Sequence, residues 1–296
     1  MRCPQCRQDE HVVKNGKYVR KSDKKPIQSF LCKLCKKRFS TQTFQIDYRH
    51  RKRHINQQAF RLLCQGVSQR SCAFLLGVRP KAIAIRIKRF GEICKQNLEG
   101  YRNTRSKVTH AQLDELETFE TCKYRPLTVP VVVEAKSRKI ISLAVGSIAA
   151  KGHLAKKGRL KDGYRKCERH HCLKKVLSDL KQAADKGILI SSDDSTHYPK
   201  VIKNQLPGAK HLRYLSQRSR LAGLGELKKG GFDPIFSINH TLAKMRDCIK
   251  RLSRRTWATT KKASELENLL FMYAWFHNLR LDGKKGVFLK RMAVTN

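Results

Sequence analysis

Residues 188–195 read Ile-Leu-Ile-Ser-Ser-Asp-Asp-Ser, a short apolar run that ends in two acidic residues. A run of this length after Gly187 is typical of a buried strand, which we predict over residues 188–192. A carboxylate that follows such a strand can point into a cleft, so Asp193 is a candidate for chemistry. The alternative is that Asp193 only caps the turn that follows.

The chain around this strand alternates between strand and helix patterns after a composition change near residues 102–106. The predicted strands are 112–119, 129–134, 139–145 and 211–215, and the predicted helices are 172–186, 238–255 and 263–278. This order predicts the α/β fold class, with a mixed sheet flanked by helices, over residues 107–290.

Acidic residues are scarce, with 23 Asp and Glu against 65 Lys and Arg, so their positions are informative. Asp114 lies within the first predicted strand of the α/β region. Two carboxylates brought together repel each other unless cations lie between them, and paired Mg²⁺ ions do this in phosphodiester chemistry. Asp114 and Asp193 are therefore candidate metal ligands. The alternative for Asp114 is a surface position at a strand edge.

Four cysteines near the N-terminus form two Cys-x-x-Cys pairs: Cys3, Cys6, Cys32 and Cys35. Two residues between thiolates let a tight turn aim both sulfurs at one ion, and two such turns complete a tetrahedral site. We therefore predict a zinc ribbon over residues 1–45, organised by a structural Zn²⁺ and packed by Phe30 and Phe39. The alternative is two unrelated pairs of buried or redox-active cysteines.

Residues 46–100 have the pattern of a helix-turn-helix DNA-binding domain. Ser68 can cap a second helix that ends near Gly77, and Pro80 suits the first turn of a third helix. In this motif the last helix enters the major groove. Its basic residues, predicted to face outward and bind DNA, are Lys81, Arg86, Lys88 and Arg89. A helical hairpin without DNA binding is the alternative.

The formal net charge is +42, and the basic residues are spread along the chain. Self-repulsion of this size does not favour folding, so a polyanionic partner, nucleic acid first, is the natural explanation. The chain opens with Met1-Arg2-Cys3-Pro4 rather than an apolar run, and its apolar stretches are too short to span a bilayer. We therefore expect a cytoplasmic, nucleoid-associated protein with no membrane partner.

Several motifs follow the zinc ribbon and the helix-turn-helix in a fixed order. They are 113–116 (Leu-Asp-Glu-Leu), 192–199 (Ser-Asp-Asp-Ser-Thr-His-Tyr-Pro), 238–240 (Ile-Asn-His) and 250–257 (Lys-Arg-Leu-Ser-Arg-Arg-Thr-Trp). In this order the chain resembles insertion-sequence-one-type transposases and their zinc-ribbon relatives over nearly its whole length. The stretch 250–257 lies in the most specific part of the resemblance.

The resemblance implies a ribonuclease-H-like catalytic core, in which two Asp and a third residue, usually Glu, bind Mg²⁺ or Mn²⁺. Such enzymes cleave transposon ends and use the freed 3′-hydroxyl for strand transfer. It therefore implies a metal-dependent DNA transposase, which is a polynucleotidyl transferase. The implied partner is double-stranded DNA, as transposon ends and as target, and the pairing of two ends is compatible with a homo-oligomer.

Carried over residue by residue, the resemblance places the first Asp at Asp114, the second at Asp193 and the third ligand at Asn239. Asn in place of Glu is the main departure, because its oxygen can ligate Mg²⁺ but brings no charge. The alternative for Asn239 is a helix N-cap. Glu115 and Asp194 are only fallback ligands. Side chains alternate along a strand, so each of them would point to the opposite face from the neighbouring aspartate.

The resemblance also assigns phosphate contacts. Arg246 lies two helical turns after the third ligand on the same helical face, where it would contact a phosphate near the metals. Apart from the resemblance, the loop 151–166 and the polar face of the closing helix carry many basic residues with few acidic partners, which predicts a phosphate track. The alternative for either segment is a solvated face. The DNA contacts expected on that helix are Lys250, Arg251, Arg254 and Arg255.

Asn239 also keeps a second function open. A chain with a weakened metal site would still bind DNA through the zinc ribbon and the helix-turn-helix, as a DNA-binding regulator or a catalytically inactive transposon relic. A basic RNA-binding protein is disfavoured, because the sequence shows no RNA-binding module.

Overall fold

The computed structural model describes residues 1–21, 24–215, 233–253 and 258–284. The chain divides into two compact units, Met1–Asn56 and Gln57–Asn296. Two of the predicted DNA contacts, Arg254 and Arg255, lie outside the described residues. Within the described ranges, no helix is both long enough and apolar enough to cross a bilayer.

The first unit is built on three antiparallel strands, β1 (Val12–Val19), β2 (Pro26–Cys32) and β3 (Arg38–Ser40), in that order. The rings of Phe30 and Phe39 stack with their centroids 5.6 Å apart, which confirms the packing expected of them. Apart from cysteines, the fully buried apolar residues in the described part of this unit are Ile27, Phe39 and Ile55. So small a core needs another source of stability.

Three helices follow: α1 (Asn56–Cys64), α2 (Gln69–Leu75) and α3 (Pro80–Thr104). The Ser68 hydroxyl accepts a hydrogen bond from the Ser71 backbone N–H at 3.1 Å, which confirms the predicted cap of α2. The turn between α2 and α3 contains Gly77 with φ +58°, a left-handed conformation that glycine adopts without strain. Residues 76–79 form a four-residue turn between the short α2 and the longer α3.

The inward face of α3 is the predicted one, because Ile83, Ile87 and Phe90 are fully buried. The prediction that Arg86 faces outward is wrong. Its side chain is 3% exposed and donates to the Ala82 carbonyl oxygen at 3.0 Å. The buried stripe of α3 is wide enough to include this residue, and burial lowers the pKa of its guanidinium.

The second unit contains a six-stranded mixed sheet. Its strands are β4 (Val108–Phe119), β5 (Pro126–Glu134), β6 (Ile140–Leu143), β7 (Gly146–Ser147), β8 (Ala184–Asp193) and β9 (Lys210–Tyr214). The main order is β6-β5-β4-β8-β9, and the short β7 pairs with β5. Strands β4 to β6 pair antiparallel, whereas β8 is parallel to β4 and β9 is parallel to β8.

Five further α-helices lie among the described residues of this unit: α4 (Leu154–Asp162), α5 (Arg169–Ala183), α6 (Tyr198–Gln205), α7 (Phe236–Cys248) and α8 (Ala263–Leu281). One face of the sheet packs on α5 and α6 in a core that includes Leu113, Ile190 and Leu177. Helix α7 packs on β4 and β5, and α8 packs on α3. The α/β fold class with a mixed, helix-flanked sheet is thereby confirmed, in agreement with a ribonuclease-H-like core.

Several predicted boundaries differ from the observed ones, and three of the differences change the type of structure at the residues concerned. Helix α5 ends at Ala183 rather than at residue 186, because β8 begins at Ala184 and bulges at Gly187, whose φ is +75°. The helix predicted over 238–255 ends at Cys248, where Ile249 adopts an extended conformation and is buried before a short 3₁₀ turn. The loop predicted over 151–166 contains α4.

Candidate functional site

The parallel pairing of β4 and β8 brings the two predicted aspartates together. Leu113 lies opposite Ser192 in this ladder, so Asp114 and Asp193 are the next residues on neighbouring strands. Adjacent strands are about 5 Å apart, and residues in register point to the same face of a sheet. Because Leu113 faces the core under α5, both aspartates face the opposite side of the sheet.

The electrostatics of Asp114 reflect this neighbour. Burial, helped by the negative charge of Asp193, raises the pKa of the Asp114 carboxyl to about 7. The Glu115 backbone N–H, which donates to Asp114 Oδ1 at 2.6 Å, and the positive charge of Arg246 act in the opposite direction without cancelling the rise. Two carboxylates in this position are best stabilised by cationic partners.

The two fallback residues point away from this site. Glu115 accepts from the Thr128 hydroxyl at 2.6 Å and pairs with the Arg169 guanidinium at 2.9 Å. Asp194 is exposed and pairs with Arg213 at 3.1 Å. Both carboxylates therefore have partners other than Asp114 and Asp193.

Helix α7 runs alongside β4 on the face of the two aspartates. Gln112, two residues before Asp114, accepts from the Ile238 backbone N–H at 2.9 Å and donates to the Pro234 carbonyl at 3.1 Å. Further along, the Thr118 hydroxyl donates to the Arg251 carbonyl at 3.1 Å. These bonds fix the start of α7 beside Gln112, so the helix passes over Asp114.

Two predicted residues of α7 lie in this stretch. Arg246 is within electrostatic reach of Asp114, because its charge acts to lower the pKa of that carboxyl. Asn239 directly follows Ile238, whose backbone binds Gln112. Its side-chain nitrogen donates to Asp233 at 3.0 Å. The N-cap position of α7 is occupied by Ile235, four residues earlier. Asn239 is therefore not an N-cap, and that alternative is wrong.

Arg169, at the start of α5, was not identified from the sequence. Its side chain connects β4, which carries Asp114, to the segment that follows β8, which carries Asp193. Its guanidinium pairs with Glu115 at 2.9 Å and Glu117 at 2.5 Å on β4, and it meets His197 Nε2, in the segment after β8, at 2.9 Å. The side chain is 11% exposed. Within a run of basic residues nothing in the sequence distinguishes this arginine.

The four N-terminal cysteines also meet in space. All four sulfurs lie within 4.8 Å of one another, with 3.5 Å between the sulfurs of Cys3 and Cys35 and 3.6 Å between those of Cys6 and Cys32. The residue after each pair, Arg7 or Lys36, has a positive φ near 60°, so both turns have the same shape. Four sulfurs around a tetrahedral ion would be about 3.8 Å apart, so this cluster could hold a metal such as zinc.

The pKa values of these thiols reflect how closely the four sulfurs are packed. Burial acts to raise the pKa of Cys3, but the backbone N–H groups of Cys6 and Gln5 outweigh it and lower that pKa to about 6. At Cys35 the Lys37 backbone N–H acts to lower the pKa, yet burial and the neighbouring thiols raise it to about 11. Four thiolates this close need a cation between them.

The remaining DNA contacts predicted from the sequence divide by exposure. Lys81 and Lys88 are exposed on α3, whereas Arg89 is half-buried and pairs with Glu92 at 3.5 Å. Lys250 is exposed. Arg251 is half-buried: one guanidinium nitrogen is inaccessible to solvent, and burial lowers the pKa of the group.

No family model matches the chain, and no curated protein matches it. Among solved structures, it is similar to the catalytic domain of the Mos1 mariner transposase, at 11% identity and TM-score 0.26, over 68% of this chain and 95% of that one. It is also similar to the piggyBac transposase in a synaptic complex with hairpin DNA, at 8% identity and TM-score 0.32, over 78% and 66% of the two chains. Scores this low do not establish shared chemistry.

Proposed function

We propose that this protein is a transposase, which binds transposon ends and catalyses metal-dependent DNA cleavage and strand transfer. The observation that supports this most directly is the register of β4 and β8, which puts Asp114 beside Asp193 under a helix that carries Arg246. Paired carboxylates with a nearby guanidinium suit phosphodiester chemistry, in which negative charge develops around phosphorus.

The proposed division of labour follows from the positions of the side chains. Asp114 and Asp193 would hold Mg²⁺ or Mn²⁺, and the Asn239 carboxamide oxygen would be a third, uncharged ligand. Such ions activate the attacking oxygen and stabilise the leaving one. Arg246 would bind a non-bridging oxygen of the scissile phosphate, since an arginine suits phosphate recognition.

The same proposal assigns a DNA-binding role to residues 46–100 and a structural Zn²⁺ to residues 1–45. The four-cysteine cluster supports the metal, because zinc favours an all-thiolate tetrahedral site. The exposed lysines Lys81 and Lys88 support entry of α3 into the major groove. The net charge of +42 supports a polyanionic partner such as duplex DNA.

DNA binding through α3 is expected to depend steeply on salt. Lys81→Ala and Lys88→Ala should each reduce the slope of log affinity against log salt by about one, because each lysine removed is one phosphate contact fewer. Titration of a fluorescent duplex at several salt concentrations measures this slope. Arg86→Met is the matched control, expected to lower stability but leave the slope unchanged because Arg86 is buried. A smaller slope for Arg86→Met, with no change for the lysine variants, would contradict the assignment.

The proposed function is tested by incubating the protein with a duplex that carries the end of its own element, with and without Mg²⁺ or Mn²⁺. We expect metal-dependent strand cleavage that leaves a 3′-hydroxyl, followed by joining to a second duplex. Tight, salt-sensitive binding without cleavage in either metal would favour the alternative, a DNA-binding regulator or an inactive transposon relic.

A further inference from the structure

Residues 151–166, which include α4 and were expected to contact phosphates, also expose apolar surface. We call them the basic segment. It exposes two large side chains, Leu160 at 80% and Tyr164 at 88%. Apolar and aromatic side chains grouped on a surface commonly mark a binding site for another molecule.

The basic segment is held in place by its inner face. Gly158 is buried, and a methyl group there would lie 3.3 Å from Ala150 Cβ. Asp162 pairs with Arg125 at 2.5 Å, and Arg165 pairs with Glu120 at 3.5 Å. The exposure of Leu160 and Tyr164 therefore belongs to an anchored element that presents its other face to solvent.

The charge of the basic segment selects the kind of partner. It contains seven Lys and Arg and one acidic residue, Asp162, whose carboxylate is already paired with Arg125. Lys156, Lys157 and Arg159 are all exposed around Leu160. A cationic surface with an exposed aromatic ring is the combination that binds single-stranded nucleic acid, in which lysines bind phosphates and rings stack on bases.

The basic segment is joined to the strand that carries Asp114. Lys151 pairs with Glu117 at 2.5 Å, and Arg169, which joins β4 to His197, pairs with the same carboxylate. Glu117 is three residues after Asp114, so its side chain lies, like that of Glu115, on the face of β4 opposite to the two aspartates. The basic segment is therefore a surface separate from the one formed by Asp114 and Asp193.

We propose that the basic segment binds unpaired bases of the DNA substrate, with Tyr164 stacked on a base and Leu160 packed beside it. The bases must be unpaired, because inside a duplex both faces of a base are covered by its neighbours and a surface ring cannot reach them. The inference rests on the proposed function for the nature of the substrate. It adds that part of this substrate is single-stranded when it is bound.

The test is a binding experiment without added Mg²⁺ or Mn²⁺, so that it does not depend on cleavage. The probes are a blunt duplex and the same duplex with a short thymine overhang that carries 2-aminopurine at the first unpaired position. Tyr164→Ala should weaken binding of the overhang duplex by roughly tenfold and leave the blunt duplex unaffected. Tyr164→Phe should retain both the affinity and the fluorescence quenching that stacking produces.

Two further results define the outcome. Leu281→Ala is the control, since Leu281 is exposed at the end of α8, outside the residues proposed to bind DNA, and its loss should not change the preference for the overhang. An equal loss of both duplexes in Tyr164→Ala, or no loss of either, would overturn the stacking proposal. A preference for the overhang in a protein that never cleaves DNA would leave stacking supported and refute only the transposase assignment.

Discussion

Asp193→Asn is expected to abolish metal-dependent DNA cleavage, with a loss of at least about a thousandfold in rate. The substitution keeps the volume of the side chain but removes the charge that would hold a divalent cation beside Asp114. Metal ions contribute several kcal/mol of transition-state stabilisation in such sites, and each 1.4 kcal/mol is about a factor of ten in rate. The measurement is single-turnover cleavage of a duplex with the element's own end, alongside binding of that duplex.

The neighbouring residue provides the control. Asp194→Asn has the same chemistry one position later, but Asp194 is exposed and pairs with Arg213. We expect it to cleave within a fewfold of the unaltered protein, since exposed ion pairs contribute little. Equal loss in both variants would mean that the charge of the segment matters, rather than ligation by Asp193.

Asn239→Glu addresses the third ligand in the same assay. Glutamate at this position would bring a charged oxygen toward Asp114 and Asp193, so we expect cleavage to persist and to need less Mg²⁺ for half-maximal rate. Loss of cleavage in Asn239→Glu, with DNA binding intact, would remove Asn239 from the metal site and leave it as a residue that holds Asp233.

The separate parts of this site were predictable because each has a local signal. The apolar run that ends before Asp193 predicts a buried strand. Asp114 was a candidate because it is one of the few acidic residues and lies within the strand predicted over 112–119. Their adjacency was not predictable from pattern alone, because it depends on which strands pair and in which register. The resemblance supplied that step, and the parallel pairing of β4 with β8 agrees with it.

Side-chain direction on helices was predicted less well, for a physical reason. Arg86 was expected to face outward because the apolar residues Ile83, Ile87 and Phe90 define the inner face of α3. It lies beside that apolar stripe, where a long side chain can fold inward when the neighbouring elements leave room. Tertiary packing decides where a helix has room for a long side chain. The periodicity of apolar residues in the sequence carries no information about that packing. Arg169 was missed for the related reason that its three partners are far away in sequence.

The cysteine cluster leads to the other large expected effect. Cys32→Ser should release one equivalent of zinc and unfold the first unit, because that unit buries few apolar side chains besides its cysteines. A structural zinc site contributes on the order of 10 kcal/mol, about as much as the whole stability of a typical domain. The measurements are zinc content and limited proteolysis of the full-length protein, which should be cut within residues 1–56.

Cys167→Ser is the control, because Cys167 is exposed and lies outside the cluster. It should keep its zinc and its protease resistance. The same pair of variants separates the metal site from the alternative of two unrelated redox-active pairs, in which each Cys-x-x-Cys pair would form its own disulfide instead. A redox pair would be insensitive to a chelator and sensitive to a mild oxidant, whereas a zinc site loses its fold to the chelator and is protected from the oxidant while the ion is bound. Retention of zinc and of protease resistance by Cys32→Ser would exclude the four-cysteine site. The fold of this unit is proposed to depend on an all-thiolate tetrahedron, and three thiolates with one hydroxyl do not provide it.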